Sequence, residues 1–455
     1  MPKTLFIQTY GCQMNQYDSE RIAQVMGRND YVQTDRIDAA DVILLNTCSV
    51  RDKAEQKVYS TLGRWKEFKN YRDGVIIGVG GCVAQQEGEK LLKRVPYLDL
   101  VFGTHNIHKL PELVEQVASS RARPVEIAFS RDPQYMEAGD GRTQVRGAKA
   151  FVTIMQGCNN VCSFCIVPHV RGREVSRPSG KIIAEVEALV AQGIKEVMLL
   201  GQNVNSYGKL TAGEISFGEL LQRVDGVDGI ERIRFTTSHP QDLSPGLIEA
   251  FTTCSHLCEH LHLPVQSGSD TVLARMRRGY TRQEYLARIA GLRDRCPQVA
   301  LTSDIIVGFP GESDDDFEAT IELLQLVEYD EIYAFTYSPR PQTVSAKIYA
   351  DDVPEEVKKA RLQRVQTLQK EIALAKNRRR IGELDEILLE GPAKAKNGQM
   401  MGRTRTNRIV NVSAPEILAG RIVAVRIVNA TANSLIGELL AHRMVSNQQL
   451  EGIMA

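Results

Sequence analysis

At 455 residues and 43% apolar content, the chain is too long for one ordinary domain and has material for two or three buried cores. Its 56 Lys and Arg balance 56 Asp and Glu, which excludes a chain-wide basic surface, so any basic face must be local. No apolar run reaches bilayer length and the opening MPKTLFIQTYGC lacks an h-region and cleavage site, so a cytoplasmic protein without membrane contact is expected, its nine cysteines kept as thiols for metal or redox chemistry.

In chain order, TLFIQTY, DVILLNT, VIIGVG and LDLVFG read as short strands alternating with amphipathic helical stretches. That βαβ pattern predicts a doubly wound parallel sheet over residues 1–118. Residues 119–143 lack periodicity and read as a linker. Strand signals resume at FVTIMQ and recur in EVMLLGQ, RIRFTTS, HLHLPVQ, LTSDIIVGF and IYAFTYS; six βα units fit a partial parallel (βα)6 barrel within 144–376. A long helix is predicted from Val353 to Arg380, with acids at its start and bases at its end as the helix dipole favours; a solvated connector is one reading of it. Short β-like runs then predict a small antiparallel β-barrel over 377–445. From Lys376 to Arg443 there are 12 Lys and Arg against 6 Asp and Glu, so this end is basic. The fold class is thus α/β with a C-terminal β-barrel.

The cysteines fall into three sets. Cys158, Cys162 and Cys165 in MQGCNNVCSFC follow the first barrel strand, and active groups in such folds sit at the carboxyl ends of strands. Three thiolates on one tight loop suit an iron–sulfur cluster with one iron left open; zinc completed by His169 is an alternative. Cys12, Cys48 and Cys82 each lie just past the end of a successive strand of the first sheet. A parallel sheet delivers those ends to one edge, which predicts a second cluster with three protein ligands, with Gly11, Gly80 and Gly81 allowing close backbone approach. Cys254, Cys258 and Cys296 read as structural thiols, the first two at helical spacing, although His256, His260 and His262 stand nearby.

The C-x3-C-x2-C triplet with Phe164 before its last Cys resembles the signature of radical S-adenosylmethionine enzymes. The resemblance implies a [4Fe–4S] cluster on Cys158, Cys162 and Cys165 whose open iron is chelated by S-adenosylmethionine. It also implies cleavage to a 5′-deoxyadenosyl radical able to take hydrogen from unactivated carbon. With the first cysteine trio and the basic C-terminal piece, nearly the whole chain resembles the methylthiotransferase family; GRTRTNRIVNV is similar to the opening of a TRAM domain, a small RNA-binding barrel. QTYGCQMNQYDSE, LNTCSVRDKAEQKV, GCNNVCSFCIVPHVRGREVSRP and LLGQNVNSYG resemble the branch acting on isopentenylated adenosine in tRNA. The branch acting on threonylcarbamoyladenosine is the nearer alternative, and the branch modifying a ribosomal-protein aspartate the more distant one.

This likeness implies addition of a methylthio group at C2 of adenosine 37, with the six cysteines as cluster ligands and catalytic centre. An auxiliary cluster, also [4Fe–4S], would hold sulfur that one S-adenosylmethionine methylates while a second generates the radical. Implied partners are the tRNA anticodon stem-loop, a reductant such as flavodoxin or ferredoxin and an iron–sulfur or sulfide donor; a monomer is expected. Phe164, Gln202, Asn203, Ser238, Gln266 and Gly308 correspond to positions that contact S-adenosylmethionine in the family. Arg171 and Arg173 suit a carboxylate, an RNA phosphate or a surface salt bridge. In SPRPQTVSA, Gln342 stands where the family has Gly. Arg403, Arg405 and Arg408 suit RNA phosphates, and since 381–455 contains no Phe, Tyr or Trp, that domain is expected to bind by charge and shape. A rival reading is a non-enzymatic iron–sulfur sensor that binds RNA.

Overall fold

The computed structural model describes residues 2–49, 54–130, 147–393 and 398–440. Strands β1 (Lys3–Thr9), β2 (Tyr31–Gln33), β3 (Val42–Thr47), β4 (Ile76–Gly81), β5 (Leu100–Phe102) and β6 (Val125–Glu126) form one parallel sheet in the order β2-β1-β3-β4-β5-β6. Helices α1 (Gln13–Gly27), α2 (Ala54–Tyr71), α3 (Cys82–Glu87), α4 (Glu89–Arg94) and α5 (Leu110–Ser120) lie between the strands. Ile22 and Met26 of α1 and Leu113 and Val117 of α5 pack on Leu44 and Leu100 from one side. Leu62 and Trp65 of α2 and Leu91 of α4 pack on Ile43, Leu45 and Ile77 from the other. Covered on both faces, β3 and β4 are buried at every residue, hence their unbroken apolar runs. β2 and β6 are too short to show periodicity. β6 falls inside the stretch expected to be linker, so the sheet runs on to Glu126; residues 131–146 lie outside the described residues.

The central unit carries β7 (Lys149–Thr153), β8 (Met155–Gln156), β9 (Val175–Ser176), β10 (Glu196–Leu200), β11 (Arg232–Phe235), β12 (His260–His262), β13 (Ala300–Val307) and β14 (Glu331–Thr336). β8 and β9 pair antiparallel. The other six are parallel, as β7-β10-β11 and β12-β13-β14 joined by the bridge Ile233–Leu257. These are the six predicted strands, curved into a partial barrel with β14 at its open edge. Alternation sets the two faces: Val152, Val197, Leu199, Ile233, Phe235, Leu261 and Ile305 join one core under the helices. The intervening residues, among them Glu196, Arg232, Arg234, His262, Asp304, Tyr333 and Phe335, therefore face the concave side. The helix Glu355–Arg379 buries Val365 and Ala373 against the barrel, and Gln369 donates to the Tyr329 carbonyl at 2.9 Å, so it is a packed element and not a solvated connector.

The C-terminal strands β15 (Leu384–Pro392), β16 (Met400–Thr404), β17 (Ile409–Val412), β18 (Ile422–Ala430) and β19 (Leu435–Leu439) close into a barrel. Four pairings are antiparallel as expected, but β17 and β19 run parallel. An odd number of strands cannot alternate direction all the way round a ring. This barrel seats its β16–β17 turn in the amino-terminal mouth of the central barrel. Arg232 donates to the carbonyls of Arg403 (2.7 Å) and Glu386 (3.0 Å), and Arg234 to those of Thr404 (2.6 Å) and Arg405 (2.9 Å). Arg234 is also paired with Glu196 at 2.9 Å, both side chains at most 4% exposed. Removing one partner of such a pair strands a buried charge, so Arg234→Ala should lower unfolding stability by about 3–5 kcal/mol. Denaturant unfolding measures this, and faster proteolytic release of the C-terminal barrel should accompany it.

Candidate functional site

Cys12 precedes α1, Cys48 follows β3 and Cys82 opens α3, all at the carboxyl edge of the first sheet where strand order reverses around β1. The three converge as expected. A Cβ on Gly11 would stand 2.7 Å from the Cβ of Cys48, and Gly11 has φ +141°, so only glycine lets the two loops touch. Gly81, at φ +88°, is needed for its closeness to the Thr47 carbonyl, whereas Gly80 makes room for the Phe102 ring. Two asparagines brace the loops: Asn15 donates to the Thr47 carbonyl at 2.9 Å and Asn46 to the Asn15 carbonyl at 2.8 Å. A hydrogen bond with Cys48, helped by the charge of Arg171 and opposed by burial, brings the Cys12 thiol down to about 6; burial pushes Cys82 up.

Cys158, Cys162 and Cys165 lie on the loop beyond β8, past the carboxyl end of β7. Burial raises Cys158 to about 11 and Cys165 to about 12, so both thiols stay protonated near neutral pH unless a bound metal displaces the proton. The Arg278 guanidinium donates to Cys162 Sγ at 3.3 Å and to the Pro264 carbonyl at 2.6 Å. Among the described residues no group of three or more His, Cys, Asp or Glu stands close enough to hold a single metal ion. A cluster takes one thiolate on each iron and needs no such crowding. His169 is exposed. Gln202 Oε1 accepts from the Gly157 N–H at 2.6 Å and so sets the approach to the loop. At the neighbouring strand ends Asn203 Oδ1, Ser238 Oγ and His239 Nε2 are buried without hydrogen-bond partners. Orphaned polar atoms beside an all-sulfur donor set fit a chelated polar cofactor such as S-adenosylmethionine. Phe164 packs edge-on to Phe309, 6.5 Å between centroids. Gln266 is buried at φ +75°, bridged by backbone to β13, and Gly308 clears the Lys358 stem, which a Cβ would meet at 2.3 Å. Both therefore shape the rim.

Cys254 and Cys296 pack in the barrel core; Cys258 is buried just before β12. Cys254 ends the helix Pro245–Thr253, so the first pair does not share a helix face. Gln342 adopts φ +73°, the left-handed region that favours glycine. The C-terminal arginines expected to meet phosphate have partners within the fold. Arg405 forks onto Glu259 (2.7 Å) and the Leu257 carbonyl (2.7 Å), Arg408 onto Asp330 and Asn377, and Arg403 onto Glu390 (3.3 Å). Arg405 and Arg408 thus fasten the C-terminal barrel to the central one. Charge counting cannot see this, because Asp330 lies 78 residues from Arg408 and Glu259 lies 146 from Arg405.

The two cysteine trios meet across α6 (Val167–Arg171), the short helix after the Cys165 loop. Cys82 packs with Ile166 and Val170, the Gly172 carbonyl accepts from the Cys158 N–H at 3.2 Å, and the Arg171 carbonyl is held by His105 Nε2 at 2.8 Å. The Arg171 side chain, 3% exposed, donates to Asp18 of α1 at 2.6 Å. Its charge is felt by Cys12 and Cys82, and Cys82 also hydrogen-bonds it. Arg171 thus finds the carboxylate its sequence context suited, while Asp18, Arg278 and Asn46 complete the site without any sequence signal, since each acts through a distant contact. Arg171→Gln should cost about 3–5 kcal/mol by leaving Asp18 buried and unpaired, with Arg171→Lys milder; chemical denaturation of the two variants checks the order.

Residues 4–103 match the Uncharacterized protein family UPF0004, 152–324 the Radical SAM superfamily and 378–440 the TRAM domain. The chain is 51% identical over 437 residues to the tRNA-2-methylthio-N(6)-dimethylallyladenosine synthase of Geotalea uraniireducens, covering 96% of this chain and 99% of that one. It is 51% identical to that of Geobacter sulfurreducens (97% and 98% covered) and 47% to that of Methylococcus capsulatus (97% and 96%). Among solved structures, the radical S-adenosylmethionine methyltransferase TsrM from Kitasatospora setae superposes with TM-score 0.57 at 13% identity, over 76% of this chain and 74% of that one. The cobalamin-dependent radical enzyme OxsB gives 0.53 at 13%, over 81% and 56%. These two likenesses show the fold. Among the described residues no helix is long and apolar enough to cross a membrane. By its radical SAM and TRAM domains and its near full-length identity to these synthases, the chain belongs to the tRNA-2-methylthio-N(6)-dimethylallyladenosine synthase family.

Proposed function

We propose that this enzyme converts N6-isopentenyladenosine 37 of tRNA to its 2-methylthio derivative. The observation that carries the reading is the meeting of two three-cysteine sites across one short helix, each at the carboxyl edge of its own parallel sheet. An aromatic C2–H offers neither an acidic proton nor a leaving group, so acid–base catalysis has little to work on. Cys158, Cys162 and Cys165 would hold a cluster that, with S-adenosylmethionine, would supply a radical strong enough to take that hydrogen. Around it Gln202 and Arg278 fix the loop, while Asn203 and Ser238 offer unpartnered polar atoms to the cofactor. Cys12, Cys48 and Cys82 would hold an auxiliary iron–sulfur cluster as the sulfur carrier. The all-thiol donor set and the glycine-cleared loops support that assignment. Arg171 would keep the carrier in register with the radical source. Arg403, whose ion pair with Glu390 at 3.3 Å is longer than the 2.7 Å pair of Arg405 with Glu259, is the C-terminal arginine best able to reach a phosphate. The anticodon stem-loop as the RNA element, an external flavodoxin- or ferredoxin-type reductant, an iron–sulfur or sulfide donor, a cytoplasmic location and a monomeric state complete the proposal.

Nucleoside mass spectrometry of digested tRNA, from cells lacking their own adenosine methylthiotransferase, should show 2-methylthio-isopentenyladenosine only when this chain is expressed. Methylthiolation of threonylcarbamoyladenosine instead would transfer the assignment to that substrate; no change despite intact clusters would refute a tRNA methylthiotransferase. In the purified, anaerobically reduced protein, Cys48→Ala should still form 5′-deoxyadenosine but transfer no sulfur, whereas Cys162→Ala should do neither. Equal 5′-deoxyadenosine yields from the two would refute the division of labour.

A further inference from the structure

The concave side of the central barrel is covered on two sides. Met14 and Tyr17 of α1 pack on Leu200, with Phe151 and Met198 beside them, and close the β7–β10 wall. The β16–β17 turn closes the amino-terminal mouth. What remains open is the β12–β14 wall, ending at the free edge of β14. There Tyr333 and Phe335 are 47% and 45% exposed, while the alternate residues Ile332 and Ala334 pack against the core. Two aromatic rings left in water on adjacent same-face positions are uncommon outside binding surfaces.

Their surroundings narrow the ligand. The Tyr333 ring stands 6.2 Å from that of His262, nearly perpendicular, and His262 is turned by Thr302 Oγ1 at 2.9 Å and faces Asp304 at 3.6 Å. A cavity of about 490 Å³ adjoins the rings and runs to the C-terminal barrel, bringing the Gln366 and Asn407 amides, the Glu331 carboxylate and the Lys370 ammonium to its rim. Flat apolar faces edged by amides, with the carboxylates of Asp330 and Glu331 and the cations of Lys370, Arg403 and Arg408 around them, suit an unpaired nucleobase with its phosphate. An aliphatic ligand would have no use for the amides. The C-terminal barrel has no Phe, Tyr or Trp of its own, so the rings offered at this cavity are those of Tyr333 and Phe335.

We infer that Tyr333 and Phe335 form the stacking platform for an unpaired base of the RNA substrate, in a subsite shared by the radical SAM barrel and the TRAM domain. The inference rests on the tRNA reading above and adds where a loop nucleotide docks. It is tested with the cluster-loaded enzyme by fluorescence anisotropy, using an isopentenylated anticodon stem-loop and a stem duplex without the loop. Tyr333→Ala and Phe335→Ala should each weaken stem-loop binding by about 5- to 100-fold, as loss of one stacked base does, with duplex binding and melting temperature unchanged. Tyr333→Phe and Phe335→Tyr should keep wild-type affinity. An abasic nucleotide at the docked position should weaken the wild type and add nothing in the alanine variants. Undiminished stem-loop binding by the double alanine variant, or an equal loss for the duplex, overturns the platform. A wild-type enzyme that fails to prefer the stem-loop over the duplex refutes the tRNA reading itself, whatever the variants do.

Discussion

The ion pair between Arg171 and Asp18 is the constraint on which the site depends. Arg171 ends the helix that leaves the Cys165 loop, and Asp18 sits on the helix that leaves Cys12. Both are buried, so neither charge can fall back on water if the other moves. That makes the distance between the two cysteine sites a property of one short, rigid path and not of a flexible interdomain joint. Sulfur and radical chemistry in one active site need such a path, because positioning reacting centres is worth several kcal/mol of barrier.

The remaining architecture encloses this path. The first sheet presents its carboxyl edge, and α1 reaches onward to cover part of the barrel's concave side. The C-terminal barrel stops the opposite mouth with hydrogen bonds from Arg232 and Arg234. A partial barrel exposes the inner faces of its strands, and polar groups there need partners. Here other domains supply many of them, so the three units complete one another's hydrogen bonding as well as meeting at a surface.

Much of this was legible in the chain. β3 and β4 announce themselves as unbroken apolar runs, and each cysteine of the first trio follows a strand, so the parallel topology alone predicts their convergence. The second trio sits on one loop and needs no fold to be recognised. Residues that act over long sequence separation escaped: Arg278 beside Cys162 is 116 residues away, and Asp18 is 153 from Arg171. The arginines of GRTRTNR show what charge alone leaves open. Their charge is plain in the sequence, but whether it is free or paired depends on Glu259, Asp330 and Glu390, which only the folded chain brings close. RIRF reads as an ordinary strand, although its two arginines hold a neighbouring domain.

The seat of the C-terminal barrel uses main-chain acceptors for all four of the bonds from Arg232 and Arg234. A carbonyl oxygen is present whatever the side chain, so this part of the contact recognises the path of the turn and not its composition. Residues 403–405 can change identity while those arginines keep their acceptors, provided the turn keeps its shape. Asn407, held at φ +65° within it, is therefore more constrained by docking than its own modest contacts suggest, because it carries the backbone geometry that presents those oxygens.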